Sequence, residues 1–116
     1  MKTSISILSL VLATAACSKG PKADPCDAKA VAAIGASDGK RIALSGCTFA
    51  SQGIDIVSFG DTGGKGSIAC KMKGGEGAVT ELRHAAMKLD MAKLKLDVQG
   101  TVAGKELTDC EISARE

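Results

Sequence analysis

Leu94-Lys95-Leu96-Asp97-Val98-Gln99-Gly100-Thr101-Val102 is the stretch that decides how this chain folds. Leu94, Leu96, Val98, Gly100 and Val102 alternate with Lys95, Asp97, Gln99 and Thr101. An unbroken period of two describes a strand with one buried face and one wet face. Ala103 and Gly104 turn the chain into a last strand, in which Cys110, Ile112 and Ala114 share a face. Upstream, Glu76 to Asp90 carries a helical period: Val79, Leu82, Ala86 and Leu89 form one stripe, with Glu81, His84 and Lys88 largely opposite.

Ahead of that helix the period of two returns. Ile68, Cys70 and Met72 define the inner face of one strand, Ile54 to Phe59 is another, and Gly60 to Gly66 supplies the hairpin between them. From Arg41, Ile42 and Leu44 alternate with Ala43 and Ser45. After Gly46 the apolar set shifts by one place to Cys47 and Phe49, as a glycine bulge produces. A short helix comes first, with Asp24 as N-cap, Pro25 at the first helical position, Gly35 as the stop, and Cys26, Ala30, Ala33 and Ile34 on one face.

Five short strands with a helix between the third and fourth is the order of the OB-fold, a small Greek-key barrel. The expected class is mainly β: a five-stranded OB-fold-like barrel over about residues 38–114, within a single domain over 24–116. Closure requires the long first strand to coil, and Gly46 sits where a bulge would allow it. Strands one and four resemble each other in sequence and are neighbours in such a barrel.

From Asp38 to Ala114 the chain resembles the OB-fold bacterial lipoproteins grouped as the tRNA-anti-like family. The likeness runs through Gly39-Lys40-Arg41-Ile42, Ser67-Ile68-Ala69-Cys70, Val98-Gln99-Gly100-Thr101-Val102 and Leu107-Thr108-Asp109-Cys110-Glu111-Ile112. It implies a fold relationship to anticodon-binding domains. Cys26 and Cys47 lie outside the family pattern, so the resemblance implies nothing about their pairing.

The first seventeen residues place Lys2 before an apolar run from Ile5 to Ala16 that ends at Cys17. Twelve residues are short of the roughly 20 that span a bilayer, and a short apolar run behind a positive residue is the form of an export signal. Thr14-Ala15-Ala16-Cys17 resembles the bacterial lipobox, which implies cleavage after residue 16 and diacylation of Cys17; Thr14 stands where leucine is usual. Ala13-Thr14-Ala15 also meets the small-x-small rule of ordinary signal peptidase, which would release a soluble chain instead. Residues 17–23 then read as a polar tether. Ser18, rather than aspartate, after Cys17 resembles the enterobacterial lipoprotein pattern, which implies the outer membrane.

Five cysteines in an exported chain bear on the same choice. With Cys17 carrying lipid, Cys26, Cys47, Cys70 and Cys110 remain, and four cysteines allow three disulfide connectivities. Cys70 and Cys110 both face inward on strands that neighbour each other in an OB barrel. That favours their pairing and leaves Cys26 with Cys47 to staple the first helix to the barrel. The alternative is that Cys70 and Cys110 stay reduced as small buried hydrophobes.

Other chemistries find little support. Spacings of 21, 23 and 40 residues contain no C-x-x-C, and His84 is the only histidine, so neither a metal nor a redox site is expected. Gly60 to Gly66 has too short a glycine-to-lysine spacing for a phosphate-binding loop, and Gly66 replaces its hydroxyl residue, leaving a flexible hairpin. His84 lies between Glu81 and Lys88 on a solvated face with no nucleophile placed, and Asp109 with Glu111 reads as a solvated edge.

Removing Lys2 lowers the formal charge from +2 to +1, which gives no electrostatic case for nucleic acid. Single-strand binders stack bases on aromatic side chains. Phe49 and Phe59 are the only aromatics; Phe49 is expected to pack inward, leaving Phe59 beside Lys71, Lys73, Lys93 and Lys95. No cofactor and no nucleic-acid partner is expected. The favoured reading is a non-catalytic envelope module on the periplasmic side, held to a membrane through Cys17, with an envelope protein or a small ligand as partner. A soluble periplasmic or secreted inhibitor or stress protein is the alternative, and nothing in the sequence assembles an enzyme.

Overall fold

A computed structural model describes residues 22–116. The signal segment 1–16, Cys17 and most of the tether lie outside the described residues. The strands are β1 (Ala23–Pro25), β2 (Arg41–Gln52), β3 (Ile56–Gly60), β4 (Ile68–Met72), β5 (Lys95–Ala103) and β6 (Glu106–Arg115). Helix α1 (Ala28–Ala32) precedes β2, and α2 (Gly75–Met87) joins β4 to β5. The sheet order is β1-β2-β3-β4-β6-β5, and β2 pairs with β5 to close it. The molecule is thus a closed five-stranded OB-fold-like barrel with one added strand, β1.

The period of two translates directly into burial. Along β5, Leu96, Val98, Gly100 and Val102 are buried, and Asp97, Gln99 and Thr101 between them are half-buried. β2 bends at Gly46, where φ is +82° and the register with β5 shifts between Leu44 and Cys47. Glycine adopts that conformation without the steric penalty of a Cβ. Phe59, Leu96, Leu107, Val57 and Val102 fill the centre with the four cysteines, and Val79 and Leu82 of α2 close over it.

The N-terminal segment departs from the expectation. Ala23–Pro25 is a strand parallel to β2, with Ala23 against Ala43 and Pro25 against Ser45, so the domain starts within the segment read as tether. The Cys26 amide donates to the Ser45 carbonyl at 2.9 Å, and a helix starting at Pro25 would forgo these backbone partners. Proline is tolerated here because β1 is an edge strand. The helix starts later, with Asp27 as its N-cap accepting from the Ala30 amide at 2.8 Å. Gly35 does not stop the chain, which runs on into a 3-10 turn over Ile34–Ser37.

The two phenylalanines exchange roles. Phe59 is fully buried, so it is not the available aromatic. Phe49 lies opposite Phe59 in the register, yet it keeps 40% of its surface exposed. Phe59 occupies the barrel centre, and Phe49 stands at the rim, where α2 covers it incompletely. Ile54 precedes β3 and sits in an exposed turn, in which the Gly53 amide donates to the Ile56 carbonyl at 2.7 Å.

Candidate functional site

The cysteines are committed to structure. Cys26 is joined to Cys47 and Cys70 to Cys110, with Cα separations of 5.2 and 5.9 Å, and all four are buried. The first bridge fastens the segment after β1 to the bulged part of β2; the second ties β4 to β6. Two buried disulfides fit an oxidising compartment. Among the described residues no group of three or more His, Cys, Asp and Glu could hold a metal ion, and no helix is long and apolar enough to cross a membrane.

The titratable candidates are dispersed into structural roles. Glu81, His84 and Lys88 are exposed along α2. Asp109 and Glu111 do face outward, and both meet Arg41: Nη2 lies 2.9 Å from Glu111 Oε1, and Nη1 lies 3.6 Å from Asp109 Oδ2. Arg41 thereby reaches across β5 from β2 to β6. Lys71, Lys73, Lys93 and Lys95 are exposed, but they are divided between β4 with its following turn and the start of β5, with β6 lying between those strands.

The Gly60 to Gly66 hairpin is held rather than loose. The buried Asp61 carboxylate accepts from the Gly63 and Lys65 amides at 2.8 and 3.0 Å, and Thr48 Oγ1 donates to its carbonyl at 2.9 Å. A second carboxylate fixes the bend in β2. Asp97 Oδ1 accepts from Ser45 Oγ and the Gly46 amide, both at 3.1 Å, and Oδ2 accepts from Arg115 Nε at 2.8 Å. Burial acts to raise the Asp97 pKa, but the hydrogen bonds from Arg115, Ser45 and Gly46 outweigh it, and the carboxyl titrates below its ordinary value.

Part of the accessible surface is apolar. Met87 at the end of α2, Met91 in the following 3-10 turn and Phe49 on β2 are 72%, 63% and 40% exposed. They border a groove of about 150 Å³ with Leu82, Ala86 and Leu94, beside Arg83 and Gln52. Local structure places the two methionines: α2 ends at Met87, and Asp90 accepts from the Ala92 amide at 3.0 Å to start the turn that carries Met91. The helical stripe predicts Val79 and Leu82 inside, but Met87 and Met91 are off that stripe and carry no signal in a linear reading.

A second groove, of about 480 Å³, runs along the other flank of α2 between Ala78, Glu81 and Ala85 and the β6 residues Glu111 to Ala114. No family model, curated protein or solved structure matches this chain.

Proposed function

We propose that this protein is a lipid-anchored, non-catalytic module of the bacterial cell envelope that binds another envelope protein through the rim formed by Phe49, Met87 and Met91. The observation that carries the reading is this rim: three exposed apolar side chains around an apolar groove, on a barrel stiffened by two disulfides. Contiguous exposed apolar surface of this kind marks interaction sites. Methionines suit such a surface because their unbranched chains adapt to a partner's shape.

Arg83 lines the groove and forms no ion pair among the described residues. The partner is therefore expected to insert an apolar side chain with a carboxylate beside it.

The test places a photo-crosslinking residue at Met91, or at Lys105 in the opposite hairpin, in the native host. The expected result is one adduct from position 91 that is lost in Met87→Glu and weakened in Arg83→Glu, with no adduct from position 105. An adduct that forms equally from both positions, or persists in Met87→Glu, would overturn the rim. Intact mass spectrometry checks the anchor separately. Acyl mass on Cys17 supports it, and an unmodified chain starting at Ala16 supports the soluble alternative.

A further inference from the structure

β6 is longer than the strand that should cover it. β4 pairs with it only from Cys70 opposite Leu107 to Met72 opposite Cys110, while β5 pairs with it as far as Arg115. β4 stops because Gly74 and Gly75, with φ of +109° and +63°, swing the chain into α2. From Glu111 to Arg115, β6 therefore has a strand on one side only.

Backbone parity shows which groups are left over. The Lys73 amide donates to the Cys110 carbonyl at 2.9 Å, so the backbone of Cys110 points toward β4. In a strand, backbone direction alternates with every residue. Ile112 and Ala114 therefore direct their N–H and C=O groups the same way, past the end of β4, and Glu111, Ser113 and Arg115 direct theirs to β5. That side of β6 forms one wall of the 480 Å³ groove, within the range of about 300–1,000 Å³ usual for binding pockets.

We propose that this groove takes an extended peptide segment of a partner protein, added to β6 as a further strand on the line that β4 abandons. The occupant is specified by what the wall offers. Two N–H and two C=O groups at strand spacing match an extended backbone and little else. Ala78 and Ala85 on the opposite wall, with Ala114, are small enough to let a main chain approach, and Leu82 supplies an apolar floor. Glu81 is exposed on α2 and forms no ion pair among the described residues, so a basic side chain of the segment faces it. Recession beside α2 also protects the edge from the indiscriminate pairing that open strands invite. This site lies on the other flank of α2 from the methionine rim and stands or falls without it.

Amide hydrogen exchange of the free oxidised protein comes first. Ile112 and Ala114 are expected to exchange fast and Glu111 and Ser113 slowly, in alternation. Uniform protection from Glu111 to Arg115 would overturn the open edge, and protection that rises with protein concentration would assign it to a second copy of this chain. A phage-displayed library of random dodecapeptides is then selected on the same protein. The expected binders slow exchange at Ile112 and Ala114, fail on Ala85→Phe, which fills the groove without touching the ladder, and weaken about tenfold for each edge-facing amide that is N-methylated. Failure to enrich any peptide would overturn the proposal, as would binders indifferent to Ala85→Phe or to N-methylation.

Discussion

A Cβ atom on Gly100 would lie 2.9 Å from Cys110 Sγ, so β5 passes the Cys70–Cys110 disulfide at a distance only glycine permits. Leu107 Cβ at 3.1 Å and the Thr108 carbonyl at 3.3 Å close the other directions. Gly100→Ala is therefore expected to destabilise the oxidised protein by about 1–3 kcal/mol, the usual cost of overpacking a core. Urea denaturation checks this, and an unchanged midpoint would contradict the contact.

The two disulfides should differ in weight. Closing loops of 21 and 40 residues constrains the unfolded chain by about 3 and about 4 kcal/mol in the chain-entropy treatment. Removing the pair Cys70 and Cys110 by alanine substitution should thus cost more than removing Cys26 and Cys47. Denaturation of the two double variants measures the order directly.

Asp97 gives the barrel an acid sensitivity. Its carboxyl is below its ordinary value when folded, so its contribution is complete above the unfolded pKa and is lost as the pH falls through the folded one. Relative to Asp97→Asn, the natural protein should hold its advantage at neutral pH and lose it in acid below about pH 4. Parallel stability curves for the two proteins across that interval would contradict the role given to Asp97.

Asp61→Ala removes the acceptor of the Gly63 and Lys65 amides, which lie in an exposed loop around the buried carboxylate. An expected loss of about 1–3 kcal/mol follows from removing hydrogen bonds to a charged group. Asp61→Asn keeps one carbonyl oxygen and should lose less. Stability measurements, with amide exchange at the two affected positions, separate the outcomes.

Where side-chain period and glycine placement governed the outcome, the chain was legible one residue at a time. β5 and the bulge at Gly46 are written locally, since alternation and a missing Cβ act within a few residues. Asp24 and Pro25 carried a helix-start signal of the same local kind and yielded to hydrogen bonds from β2, because a helix of five residues has little stability of its own to defend. Arg41 was invisible as the partner of Asp109 and Glu111, since 68 and 70 residues separate them and only the crossing of three strands brings them together.

The sequence by itself determined the order of the five barrel strands and the helix between the third and fourth, the buried face of β5 and the cysteines available for pairing, because backbone sterics and apolar periodicity act over short separations. Which surfaces stay open was decided only in three dimensions. Met87, Met91 and Phe49 form a rim, and Ile112 with Ala114 form a free edge, because α2 and β4 end where they do. Exposure depends on what fails to cover a residue, and that is a property of the whole packing.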